Sequence, residues 1–267
     1  MFRKSLRTLY EEHSTGKVSH KWDLYLDVYD RLFSPYRDRP IDLVEVGVQN
    51  GGSLELWLKF FPRAHRIIGC DIDPRCAALR YSDPRISVVV GPINERATSE
   101  QITRLAPEFD IFIDDGSHTS ADINATFYNY FHRVRPGGLF VIEDLHCAYF
   151  PEYGGGLDAP GGSMGFLRIL ADALHKDHWR EKVTLAERVA PYLPPGTPVD
   201  DSLTADMLGI SFYDSLCVIE KRAAGKPARL GPHVIVGDTA IVDSSPLEVR
   251  RRQRAEALGL RPPQDRS

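Results

Sequence analysis

The 267-residue sequence has 42% hydrophobic residues and a formal charge of −4. That length accommodates one large α/β domain, and the apolar fraction excludes a generally disordered chain. There is no overall basic excess and no apolar run near the roughly 18 residues of a membrane span, so neither nucleic acid nor a bilayer is the expected partner.

Residues 1–7 are basic but lack the apolar stretch of a secretory signal, which makes the cytoplasm the expected compartment. Residues 1–40 read as a helical N-terminal segment. Within 21–33, Trp22, Leu24, Tyr25, Leu26, Val28, Tyr29, Leu32 and Phe33 recur at helical spacing, and most of them are expected in the core. Residues 41–222 then alternate short apolar runs with helical stretches, the signature of a parallel sheet wound with crossover helices. Strands are expected at 41–47, 66–71, 86–90, 109–115 and 139–143, the last entered through a turn at Pro136-Gly137-Gly138. Helices are expected over 53–60 and about 164–175. Residues 210–220, two β-rich runs meeting at Asp214-Ser215, read as a terminal antiparallel hairpin. The predicted fold is α/β: a doubly wound, mostly parallel, seven-stranded sheet closed by that hairpin.

The glycine-rich run 153–162 follows the fifth strand and is either a spacer or a lid. Residues 223–267 form a C-terminal extension with a strand-like patch at Val234-Ile235-Val236. Its basic cluster, Arg250, Arg251, Arg252 and Arg254, reads as a solvated face or a local contact. Cys70, Cys76, Cys147 and Cys217 show neither a CxxC pair nor zinc spacing.

Each predicted parallel strand ends in an acid or a glycine, and ligands of open α/β sheets bind at that carboxyl edge. The first strand leads into Glu45-Val46-Gly47-Val48-Gln49-Asn50-Gly51-Gly52-Ser53, a loop whose glycines permit a sharp turn and close approach to a ligand. The spacing is G-x-x-x-G-G, not the G-x-G-x-x-G of a dinucleotide site. A phosphate-free cofactor such as S-adenosylmethionine needs no such cradle. Asp71, ending the second strand, is placed to accept hydrogen bonds from ribose hydroxyls or to cap the following turn. The expected cofactor set is Glu45, Gly47, Gly51, Ser53, Asp71, Asp114 and Lys21. For Lys21, with His20, the expected contact is the cofactor's methionine carboxylate, a surface position being the alternative.

The fourth strand ends in Asp114-Asp115-Gly116-Ser117-His118 and the fifth in Glu143-Asp144-Leu145-His146. Four carboxylates at one rim raise one another's pKa unless a cation compensates. A hard divalent ion, magnesium above all, suits carboxylate oxygens and waters; a solvated acidic rim is the alternative.

These motifs, with Tyr149, Pro151-Glu152-Tyr153-Gly154-Gly155 and Phe212-Tyr213-Asp214-Ser215, make residues 21–221 resemble the metal-dependent sugar O-methyltransferases of macrolide biosynthesis, the mycinamicin and macrocin type. Similar enzymes cap actinobacterial methylated polysaccharides. The resemblance implies a Rossmann-like methyltransferase fold, S-adenosylmethionine as donor, Asp115, Glu143 and Asp144 as metal ligands, and His118 as general base. Gly91-Pro92-Ile93-Asn94 departs from the pattern in lacking an acid after the third strand. His146, Tyr149 and Tyr153 are candidate substrate contacts, His146 being equally a packed residue.

The implied partner is a small-molecule or oligosaccharide acceptor, with a homo-oligomer left open. Vicinal hydroxyls of a sugar and of a catechol present the same donor geometry, so a small aromatic diol is the second acceptor class. A non-catalytic S-adenosylmethionine-binding protein and a nicotinamide dehydrogenase are the competing readings; the costly acidic cluster speaks against the first and the glycine spacing against the second.

Overall fold

The computed structural model describes residues 3–226 and 230–258. The chain divides into two units, residues 1–226 and 227–267. In the first, the strands are β1 (Asp42–Val46), β2 (Arg66–Asp71), β3 (Ile86–Val90), β4 (Phe109–Asp114), β5 (Val134–Ile142), β6 (Met207–Tyr213) and β7 (Leu216–Lys221). They form one sheet in the order β3-β2-β1-β4-β5-β7-β6. β1 to β5 are mutually parallel, and the β6–β7 hairpin adds antiparallel to β5. The expected doubly wound sheet with a closing hairpin is therefore present. The helices are α1 (Leu6–Glu11), α2 (Asp23–Phe33), α3 (Gly52–Phe60), α4 (Arg96–Leu105), α5 (Ser120–Tyr130), α6 (Ser163–Ala173), α7 (Leu185–Val189) and α8 (Ser202–Ala205).

Alternation along the strands builds two apolar layers. Val44, Val46, Ile68, Phe112, Phe140 and Ile142 face one side, where Ile102 of α4, Phe127 of α5 and Phe166 of α6 cover them. Leu43, Ile67, Ile111, Ile113 and Val141 face the other, against Leu6 of α1, Tyr29 of α2 and Trp57 of α3. Burial on both sides is why β1 and β4 carry apolar residues at successive positions, Leu43-Val44 and Ile111-Phe112-Ile113, rather than at alternate ones. The ladder continues one step past the strand ends: Asp115 N–H donates to the Val46 carbonyl at 3.1 Å and Glu143 N–H to the Asp114 carbonyl at 2.9 Å. Parity therefore sends Glu45, Asp115 and Glu143 to the α2 side and Asp114 to the α5 side.

Two local expectations change. β5 starts at Val134, not after Pro136-Gly137-Gly138, and the register shifts between Phe109 and Ile111 opposite this stretch. The turn is thus a bulge inside the strand, with Gly137 at φ +78°. Val234-Ile235-Val236 is not a strand. Val234 and Val236 are 90% and 83% exposed, and no strand among the described residues pairs with the patch, without which an extended run gains no ladder. The second unit instead holds a helix, α9 (Ser245–Ala257), that carries the arginine cluster, and Arg250 donates to the Gly237 carbonyl within the same unit. In the glycine-rich run, Gly155 packs so closely that a Cβ would lie 2.2 Å from the Ala148 carbonyl oxygen. The four cysteines are buried and free. Among the described residues no helix is long and apolar enough to cross a membrane.

Candidate active site

The loop after β1 turns at Gly47, φ +81°, where a Cβ would fall 1.8 Å from the Asp115 carbonyl oxygen. Only glycine lets the end of β1 cross the end of β4 this closely. Gly51, also left-handed, precedes α3, and its carbonyl accepts from Tyr81 Oη at 2.9 Å. Asp71 Oδ2 accepts from Gln49 N–H at 2.7 Å and Oδ1 from Asp73 N–H at 2.9 Å, so this carboxylate braces the loop and the turn that follows. Ser53 Oγ donates to Glu45 Oε2 at 2.6 Å and Trp57 Nε1 to the same oxygen at 3.1 Å, which ties Glu45 and Ser53 to each other.

Asp115 and Glu143 meet around Lys21 rather than around each other. The Lys21 ammonium lies against Asp115 Oδ2, 2.7 Å from Glu143 Oε1 and 3.1 Å from Glu45 Oε1, with its side chain 3% exposed. Glu45 Oε1 has no aligned hydrogen-bond donor, so its link to the ammonium is Coulombic. Burial alone would lower the Lys21 pKa, but Glu143, Asp115 and Glu45 together outweigh it and hold the ammonium well above its ordinary value. Burial raises the Glu143 carboxyl, which Lys21 counters, and Tyr29 Oη donates to Glu143 Oε1 at 2.7 Å. Lys21, expected at the cofactor's carboxylate, is thus turned to the acidic row, because three strand ends present their carboxylates there.

Asp144 belongs to a second group. Its Oδ1 accepts from Trp22 Nε1 at 2.9 Å and Tyr25 Oη at 3.0 Å, and its Oδ2 lies 3.7 Å from His118 Nε2. Ligand atoms of Asp115, His118 and Asp144 all lie within 4.8 Å of one another, as do those of Glu45, Asp115 and Glu143. The expected metal trio is split between these sets, with Asp115 common to both. His118 and Asp144 have φ of +57° and +54°, and Gln49 of the loop +44°. Non-glycine residues held in this region cluster where a site over-determines the backbone.

One cavity of about 320 Å³ joins these parts. Its wall takes in residues 18–22, 46–49 and 91–94, Ser53, Asp71, residues 115–118, Asp122, Glu143 and Asp144. Glu45, Gly51, Asp114, His146, Tyr149 and Tyr153 lie outside that lining. Asp114 is buried beneath the α5 side with Oδ2 unpartnered, and burial pushes its pKa up to about 7. His146 Nδ1 is 2.6 Å from Ser215 Oγ, and its ring packs edge-on against Trp22 and Phe150, which makes it part of the hairpin's seat. Tyr149 is about two-fifths exposed, and Tyr153 contacts Cys147.

The polar tips of Trp22, Tyr25 and Tyr29 all reach the acidic rim; the two tyrosines are fully buried, as expected of core residues, whereas Trp22 is 53% exposed. Tyr25 and Tyr29, four apart, share one face of α2, and Trp22 directly precedes the helix; three aromatics with donors at three- and four-residue spacing were the available signal. Asp122, in the first turn of α5, and the stretch 91–94 also join the cavity wall.

With this strand order and a cavity at the carboxyl edge, the chain has the Rossmann-like methyltransferase fold, and residues 44–145 match a family model described as a methyltransferase domain. Over 215 residues it is 34% identical to the 8-demethyl-8-alpha-L-rhamnosyl tetracenomycin-C 2'-O-methyltransferase of Streptomyces olivaceus, covering 77% of this chain and 52% of the relative. It is 40% identical over 156 residues to the mycinamicin VI 2''-O-methyltransferase of Micromonospora griseorubida, covering 55% and 38%. Among solved structures, the MycE methyltransferase from the mycinamycin biosynthetic pathway, in complex with Mg and SAH, is similar with a TM-score of 0.67. The identity there is 31%, covering 84% of this chain and 56% of that one. The chain spans about half the length of the curated relatives it matches.

Proposed function

We propose that this chain is an S-adenosylmethionine-dependent, divalent-metal-dependent O-methyltransferase that acts on a sugar hydroxyl of a glycoside, natural product or polysaccharide. The observation that carries the reading is the single cavity shared by the Gly47 loop, Asp71 and the Asp115–His118–Asp144 group. Its volume is at the lower end of the roughly 300–1,000 Å³ of small-molecule sites. The sugar class is favoured by the relatives, one of which is named for a rhamnosyl substrate.

The residues present fit both groups. Asp71 keeps lone pairs free beyond its two backbone contacts, and it faces the cavity beside a glycine loop without phosphate-binding spacing. These residues would hold the cofactor, which supplies an electrophilic methyl group. Asp115 and Asp144 offer hard oxygen donors close together and would hold a magnesium-like ion, with Glu143 available once it parts from Lys21. Such an ion supplies Lewis acidity that lowers the pKa of an acceptor hydroxyl.

The chain's own residues do the rest. His118 Nε2 receives the proton of the acceptor hydroxyl, and Asp144, 3.7 Å away, stabilises the imidazolium that results. Trp22 and Tyr25 fix Asp144 by donating to its other oxygen, so the base faces a carboxylate that does not swing. The cavity walls orient the acceptor for in-line displacement.

The test is turnover of labelled S-adenosylmethionine on glycoside acceptors by the parent and by His118→Ala. The expected loss is about 10²–10⁴-fold in turnover number, with cofactor and magnesium affinities near the parent's. Full turnover in the variant would remove His118 as the base. Loss of magnesium binding would make it a ligand instead.

A further inference from the structure

We propose that Lys21 is a built-in cation that competes with the divalent ion for Asp115 and Glu143, and so sets how tightly that ion is held. The inference rests on the metal reading above and assigns a role to a residue that reading does not use. Lys21 Nζ touches carboxylates from the ends of three adjacent strands, β1, β4 and β5, and its side chain is withdrawn from solvent. Water therefore screens little of its charge.

Asp115 belongs both to the group around Lys21 and to the group with His118 and Asp144. An ion in the second group sits across one carboxylate from an ammonium. Asp115 cannot neutralise both fully, and the two cations repel through it. Glu143, turned to Lys21 and Tyr29, reaches an ion only by leaving the ammonium. Removing the ammonium frees Asp115 and Glu143 at once and deletes a like charge beside the ion, so the ion should be held more tightly.

The contact expected for Lys21 from the sequence, a clamp on a cofactor carboxylate, fits the geometry less well. Three carboxylates already surround the ammonium, and a fourth negative group meets their repulsion as well as its attraction.

The experiment is Mn²⁺ titration of the metal-free full chain, followed by electron paramagnetic resonance, for the parent, Lys21→Met and Lys21→Arg. Lys21→Met should bind Mn²⁺ at least about tenfold more tightly, while Lys21→Arg, which keeps the charge, stays near the parent. A folded Lys21→Met with unchanged or weaker binding overturns the proposal and leaves the metal reading standing. If neither the parent nor any variant binds Mn²⁺, the metal reading falls and this one with it. Should Lys21→Met fail to fold, reductive methylation of the parent with labelled formaldehyde decides. Faster modification of Lys21 when Mn²⁺ is present supports displacement of the ammonium, and equal protection refutes it.

Discussion

Replacing Gly47 with alanine puts one methyl group where the end of β1 crosses the end of β4. The added Cβ would sit 1.8 Å from the Asp115 carbonyl oxygen, 2.6 Å from its carbonyl carbon and 3.1 Å from Gly116 Cα. All three are backbone atoms, so no side chain can rotate away. The φ of +81° costs an L-residue about 1–2 kcal/mol by itself. Relieving the overlap means pushing Asp115 back, and overpacking of this kind costs typically about 1–3 kcal/mol. The combined loss is about 2–5 kcal/mol, which lowers Tm by about 10 °C at about 2–4 °C per kcal/mol for a unit of this size. Thermal unfolding by circular dichroism measures the stability. Mn²⁺ titration of the folded fraction reports whether Asp115 has moved. A Gly47→Ala protein with the parent's Tm and the parent's Mn²⁺ affinity would refute the idea that this crossing fixes the site.

Two further outcomes are expected. Tyr29→Phe keeps the ring stacked on Phe33 at 4.7 Å and removes only the donor to Glu143, so urea unfolding should show a loss of about 1.5–3 kcal/mol; an unchanged midpoint would mean the hydroxyl contributes nothing. Asp114→Asn tests the buried carboxyl that burial pushes up to about 7. Its folded pKa lies above its unfolded value near 3.9, so stability from the protonated form is complete below about 3.9 and is lost as pH rises through 7. The amide does not titrate, so in metal-free protein the stability of Asp114→Asn relative to the parent should grow by about 1.4 kcal/mol per pH unit between about pH 5 and 7 and then level off. A constant difference across that range would show that Asp114 is ionised throughout.

What was legible in the sequence and what was not divides along physical lines. The parallel strands were legible because strands largely buried on both faces are rich in apolar residues, the half-covered edge strand β3 included; the acids at 71, 114, 115 and 143 marked the carboxyl ends of β2, β4 and β5, and Gly47 that of β1. The closing hairpin was visible for a similar reason, two β-rich runs around Asp214-Ser215. The bulge at Gly137 was not, since a proline and two glycines look the same whether they turn the chain or kink a strand that is already paired. Val234-Ile235-Val236 had the composition of a strand, but composition says nothing about whether a partner ladder exists. Within the site, Asp115 and His118 were recognisable by motif, whereas the partner of Lys21 was not. A lysine ninety-four residues before an aspartate gives no periodic hint of a contact, and only the packing of α2 on the sheet creates it. The same packing brings the donors of the buried Tyr25 and Tyr29, and of the exposed Trp22, to the acidic rim.

The alternation of faces along the strands also decides which genetic changes this protein can absorb. Asp114 and Asp115 are chain neighbours with opposite destinations, one beneath α5 and unpartnered at Oδ2, the other beside Lys21. A point substitution in β4 alters one wall or the other. Losing or gaining a single codon within 109–114 would exchange the two, sending Asp115 into the apolar layer and Asp114 to the ammonium, with Ile111 and Ile113 inverted against Phe112 in the same stroke. The strand therefore works like a reading frame, in which a misspelling disturbs one wall and a shift disturbs both. Variation in length is accordingly expected in the connections, such as 153–162 or 176–201, while the count of residues from Leu43 to Gly47 and from Phe109 to Asp115 is held.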